Sequence, residues 1–140
     1  MSRIFWDTNL FIYLFEDYGA LSKEVEALRG RMIARGDQLF SSALTLGEVL
    51  VKPSEKGDER LARSYREALN QAATLVAFDR DTAMHYAAIR KDRGIKAPDA
   101  IQLACAAQAR IDLFITNDER LKGKVVPGIQ FIMPLKGAVL

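Results

Sequence analysis

Short apolar runs alternate with amphipathic stretches along this chain, and that alternation constrains the fold more than any other feature. Arg3–Trp6, Gln38–Ser41, Thr74–Phe78, Asp112–Thr116 and Ile129–Met133 have the length and composition of buried strands. Leu21, Val25, Leu28 and Met32 fall on one face of a helix, which Gly36–Asp37 should break. Thr45–Val51 reads as helical until Pro53, and Leu61, Ala62, Tyr65, Ala68, Leu69 and Ala72 mark a further helix with arginines on its wet side. Helices are also expected from about 81 to 90, and from Pro98, a residue favoured in a first helical turn, to about 109. Strands separated by such helices pair in parallel through right-handed crossovers. The expected fold is a three-layer α/β/α sandwich over a parallel sheet of about five strands. At 140 residues, one domain spanning 1–140 is expected.

Composition removes several classes. Hydrophobic content of 49% and charged content of 27% argue against a largely disordered chain. No apolar run approaches the roughly 18 residues of a membrane span, and MSRIFWDTN lacks signal-peptide form. A cytoplasmic protein without membrane contact is expected. Cys105 is the only cysteine and His85 the only histidine, which excludes an internal disulfide and a Cys/His zinc centre. The neighbours of Cys105 are apolar, so it reads as an inert packing residue. A formal charge of +2 falls far short of a basic stripe that would identify a nucleic-acid binder by itself.

Four acids, Asp7, Glu48, Asp99 and Asp118, carry the functional signal. Each sits in a short motif that core packing alone would not require: WDTN, TLGE, APDA and TND. Asp7 and Asp118 follow predicted strands, on the edge where open parallel sheets bind ligands. Asp99 falls in the first turn of its helix, and Glu48 reaches in from the helix after the second strand. Two carboxylates 4 Å apart repel by roughly 4 kcal/mol at an effective dielectric near 20. Gathering all four calls for a compensating charge, and a divalent cation bound through oxygen is the simplest. A metal-dependent site acting on phosphate is therefore expected.

Each acid also has a plainer reading. Asp7 can cap the helix beginning at Thr8, Asp99 can serve the helix dipole, Asp118 can start a turn, and Glu48 can be the wet side of an amphipathic helix. Their joint occurrence at one rim favours the site. Arg90, Lys91, Arg93 and Lys96 lead into Pro98–Asp99, either as phosphate contacts or as a solvated helix end. Asp79 and Asp81 read as caps of the following helix, and His85 as a packing or surface residue. Leu10 to Phe15 form a helix apolar all round, hence deeply buried or shared with a partner.

The segments FWDTN, SSALTLGEVL, GIKAPDAIQLA and FITNDERL resemble the four acidic motifs of PIN-domain ribonucleases, in particular VapC-type toxins of toxin–antitoxin pairs. The likeness runs from Ile4 to about Ile132, with motif order and spacing intact. It implies a PIN-like fold, an endoribonuclease with Asp7, Glu48, Asp99 and Asp118 as metal-binding catalytic acids, and Thr8, Asn9 and Thr116 as supporting polar residues. It further implies an RNA substrate, a cognate antitoxin and a homodimer. Gln102 stands where a histidine is common and Leu121 where an aromatic is frequent, so Gln102 is not counted as catalytic. Alternatives are a stand-alone RNA-processing PIN nuclease and a PIN-like module that binds RNA or protein without cutting. A signalling receiver domain would want adjacent acids near the first strand. A haloacid-dehalogenase-type phosphatase would want an acid where Asn9 stands.

Overall fold

The computed structural model describes residues 1–138. Five strands, β1 (Arg3–Trp6), β2 (Gln38–Ser42), β3 (Thr74–Val76), β4 (Ile111–Thr116) and β5 (Ile129–Pro134), form one sheet in the order β3-β2-β1-β4-β5. Every pairing is parallel. The chain works outward from β1 to β3, then crosses back to build β4 and β5 on the other side. The direction of winding therefore reverses between β1 and β4.

Seven helices cover the two faces: α1 (Thr8–Phe15), α2 (Ala20–Arg35), α3 (Ala43–Val49), α4 (Val51–Glu55), α5 (Glu59–Ala72), α6 (Arg80–Ile89) and α7 (Ala97–Gln108). A 3₁₀ turn, Glu119–Leu121, follows β4. Side chains alternate along each strand, so each strand feeds two cores. Phe5, Phe40 and Phe114 pack with Leu103 and Ile89 of α7 and α6, and the Phe5 and Phe114 rings stack at 5.1 Å. Ile4, Trp6, Leu39, Leu113 and Ile115 point the other way, onto Leu10, Phe11, Val25, Leu28 and Met32 of α1 and α2. This is the three-layer α/β/α arrangement that the alternation predicts.

Helix ends follow local chemistry. Gly36 closes α2 with φ of 75°, a left-handed conformation that glycine adopts without a Cβ penalty. Asp79 caps α6 through the Thr82 amide at 2.9 Å, whereas Asp81 lies inside the first turn. Pro53 does not stop the chain's helical course. The break falls earlier, at Leu50, and Pro53 sits within the first turn of α4, where no amide donor is needed. Of the apolar α1 residues, Leu10, Phe11 and Tyr13 are buried, while Ile12, Leu14 and Phe15 are partly covered. No helix among the described residues is long and apolar enough to cross a membrane.

Candidate active site

At the carboxyl edge of the sheet, around the winding reversal, lies a cavity of about 480 Å³. Asp7, Glu48, Asp99 and Asp118 all line it, with Thr8, Asn9 and Gln102. Four separate segments supply the acids. β1 ends at Trp6, and the Asp7 amide continues its ladder by bonding the Ile115 carbonyl of β4 at 3.0 Å. Asp7 is thus fixed in the crevice between the two halves of the sheet. α7 presents Asp99 from its first turn, α3 presents Glu48, and the turn after β4 presents Asp118.

Asp7 is 8% exposed. Its Oδ1 accepts from the Thr8 amide at 2.8 Å and its Oδ2 from the Thr116 hydroxyl at 2.8 Å. One side chain therefore both caps α1 and lines the cavity. Burial pushes its carboxyl up to about 6, against the pull of those two donors, and the charges of Asp99 and Glu48 push the same way. Asp99 is also raised, by burial first and then by Asp118, with Arg120 opposing. These acids feel one another across the cavity.

Thr116 joins two of them. While donating to Asp7, its hydroxyl accepts from the Asp118 amide at 2.9 Å. Thr8 anchors a third, donating to Glu48 Oε1 at 2.6 Å. Glu48 is otherwise exposed. Asn9 stands on the exposed rim, and Asn117 ties the turn after β4 to α1 through the Tyr13 hydroxyl at 2.9 Å.

The expected basic cluster is only partly at the site. Lys96 lies close enough to lower Asp118 and to oppose the rise of Asp99. Arg90, Lys91 and Arg93 do not line the cavity. Arg90 lies over the Tyr86 ring and donates to its hydroxyl at 3.1 Å, and Lys91 borders a separate cleft with His85. His85 also lines a cleft with Ile111 and Ile129, the first residues of β4 and β5, at the opposite sheet edge from the acids. The Cys105 thiol is buried and pushed up to about 11 by that burial, as an inert packing residue requires.

Arg120 is the cation at the acids that the sequence did not single out. Its guanidinium grips both oxygens of Asp118, at 3.0 and 2.7 Å, and reaches within 3.8 Å of Asp99. That fork holds the Asp118 carboxyl below the usual range. Gln102, set aside in the sequence, proves to be 2% exposed and bonded to Ser42, Thr8 and Thr45.

Five carboxylates (the four and Glu16) and two cations (Lys52 and Arg120) line the cavity, so it carries net negative charge. Among the described residues, no three acidic, histidine or cysteine side chains close into a metal cage. The four carboxylates, in a part-buried cleft beside the Thr8 hydroxyl and the Asn9 amide, still suit a hard divalent ion. Asp7, Glu48, Asp99 and Asp118 are the residues of the type and location to hold one.

Residues 4–125 match the family described as PIN domain. No curated protein matches in sequence. Similar solved structures include a chain of a toxin–antitoxin complex from Klebsiella pneumoniae, at 25% identity and a TM-score of 0.65, covering 93% of this chain and 99% of that one. FitAcB from Neisseria gonorrhoeae gives 25% identity and 0.63, covering 83% and 88%. VapBC2 from Rickettsia felis, bound to promoter DNA, shares the fold at 15% identity and 0.70, covering 94% and 98%.

Proposed function

The chain belongs to the PIN-domain family, and from that premise we propose that it is a metal-dependent endoribonuclease, the toxin of a toxin–antitoxin pair. One observation carries the reading: four carboxylates from four segments line a single cavity at the carboxyl edge of a parallel sheet. The alternative of a PIN-like binding module gives no reason to hold Asp7 buried at the expense of its charge. The solved toxin–antitoxin complexes of similar fold support the toxin assignment.

Asp7, Glu48 and Asp99 would hold the principal Mg²⁺ or Mn²⁺, with Asp118 closing the site. Such an ion, when bound, lowers the pKa of its water and polarises phosphoryl oxygens. The chain's own residues prepare the rest. Thr8 fixes Glu48, and Thr116 keeps Asp7 and Asp118 in register. Lys96 and Arg120, at the edge of the acids, are suited to contact the RNA backbone without reading its sequence. The expected setting is cytoplasmic, as a homodimer neutralised by a small antitoxin encoded nearby.

The test is cleavage of single-stranded RNA in Mn²⁺ or Mg²⁺, with a chelator control. Cleavage by the wild-type chain should require the ion. Asp7→Asn and Asp99→Asn should each abolish it while circular dichroism stays native. Full-rate cleavage by either variant, or metal-independent cleavage by the wild type, would reject the assignment.

A further inference from the structure

Gln102 sits one helical turn after Asp99 on α7, almost fully buried in the floor of the cavity that the acids line. Its side chain makes three bonds, all to hydroxyls. Oε1 accepts from Ser42 at 2.6 Å, and Nε2 donates to Thr8 and Thr45, each at 2.9 Å. A primary amide has two protons on nitrogen, and both are used here. Thr8 has one hydroxyl proton. The Thr45 hydroxyl also lies 3.0 Å from that of Thr8, but the charged Glu48 oxygen at 2.6 Å is the stronger acceptor, so with an amide proton already directed at its oxygen Thr8 gives its single proton to Glu48.

The contact to Glu48 fixes the orientation of the amide. A carboxylate oxygen and a hydroxyl oxygen at 2.6 Å need a proton between them, which Thr8 supplies. Were the Gln102 amide reversed, its carbonyl would compete for that proton, and Glu48 would face a lone pair. The bond from Thr8 is the only side-chain hydrogen bond that Glu48 makes among the described residues. Glu48 itself rides on a seven-residue helix with an exposed carboxylate.

We propose that Gln102 is a positioning residue. By donating to Thr8, it commits the Thr8 proton to Glu48 and so fixes where the Glu48 carboxylate stands. It does not touch substrate. The inference rests on the active-site reading above. Its predicted signature is weakened ion binding and a loss in kcat, with KM for RNA little changed, because the phosphate contacts lie elsewhere. Removing a partner that orients a metal ligand typically costs roughly 10- to 100-fold in metal affinity or activity.

The experiment measures Mn²⁺ uptake by calorimetry and RNA cleavage for wild type, Gln102→Met, Gln102→His, Thr8→Val and the Thr8→Val/Gln102→Met double variant. Gln102→Met has similar length and no donor, and should lose affinity and kcat by roughly 10- to 100-fold. Gln102→His restores one N–H donor and should recover most of both. Thr8→Val should reproduce the Gln102→Met loss, and the double variant should be little worse than Thr8→Val alone. Equal Mn²⁺ affinity in wild type and Gln102→Met, or losses that multiply in the double variant, would overturn the proposal. Should Gln102→Met not fold, Gln102→Glu takes its place, keeping the acceptor for Ser42 and replacing the donor; wild-type kcat there would be equally fatal. A wild-type chain that takes up no Mn²⁺ would instead sink the active-site reading, and this inference with it.

Discussion

Asp7 is held in tension between its fold and its charge. Its carboxyl titrates at about 6 in the folded chain against 3.8 for the unperturbed group. Between those values the folded chain keeps the proton and the unfolded chain has lost it, so stability falls as pH rises through that window. The full penalty applies above about pH 6 and is on the order of 3 kcal/mol. Asp7→Asn should therefore raise the thermal midpoint at pH 7.5 in metal-free buffer, with the gain fading near pH 4. Scanning calorimetry across that range checks the sign. Mn²⁺ affinity of the wild type should fall below about pH 6, as protons compete for the same oxygens. Arg120 competes differently, since it holds both oxygens of Asp118. Arg120→Gln should tighten Mn²⁺ uptake about two- to fivefold, the scale of an exposed ion pair, and unchanged affinity would show that Asp118 stands outside the ion's reach. All four acids that line the cavity were legible in the sequence, Asp7 and Asp118 from motifs just past strands and Glu48 and Asp99 from motifs on helices. The partnership of Arg120 was not legible, since an arginine after an acid in a turn has the same letters whether it faces solvent or a cavity. Gln102 was hidden for a related reason: what matters is which hydroxyls meet it, from β2, α1 and α3.

Helix α7 brings both Asp99 and Gln102 to the cavity. Its far end is held by an unusually close approach. Gly128 has φ of 99°, and a Cβ there would lie 2.8 Å from the Ala107 carbonyl oxygen. The Gly128 carbonyl meanwhile accepts from Ile111 at 3.1 Å, where β4 begins. Gly128→Ala should destabilise the chain by about 2 kcal/mol or more, from both backbone strain and overlap with α7. Urea unfolding would check this, and a change below about 0.5 kcal/mol would contradict it. Strand and helix order was readable from periodicity alone. The finer geometry was not: Pro53 looked like a terminator, but a proline in a first helical turn gives up no hydrogen bond. Whether the basic segment before Pro98 faces the acids depends on the turn between α6 and α7, which pattern does not reveal. That turn leaves Lys96 near the acids and sends Arg90 to Tyr86.

On the proposed reading, ion uptake and folding are linked at the scale of the whole molecule, because the acids come from segments spread across the chain and meet only when the sheet is built. An ion that binds the folded state alone stabilises it by about 2.7 kcal/mol at a hundredfold excess over its Kd. For a chain of this size, the thermal midpoint should rise by about 5–10 °C on adding saturating Mn²⁺, with the rise lost in Asp7→Asn. A melt insensitive to the ion would contradict the coupling. The sheet order also has a temporal consequence. β1 lies between β2 and β4, and its register with β4 pairs Ile4 with Leu113. Synthesis therefore adds Asp7 and Glu48 well before Asp99 and Asp118, while the crevice they belong to still lacks its β4 wall. Whatever the rim can do is withheld until the segment through Asp118 has joined the sheet, a delay set by the order in which the strands are made.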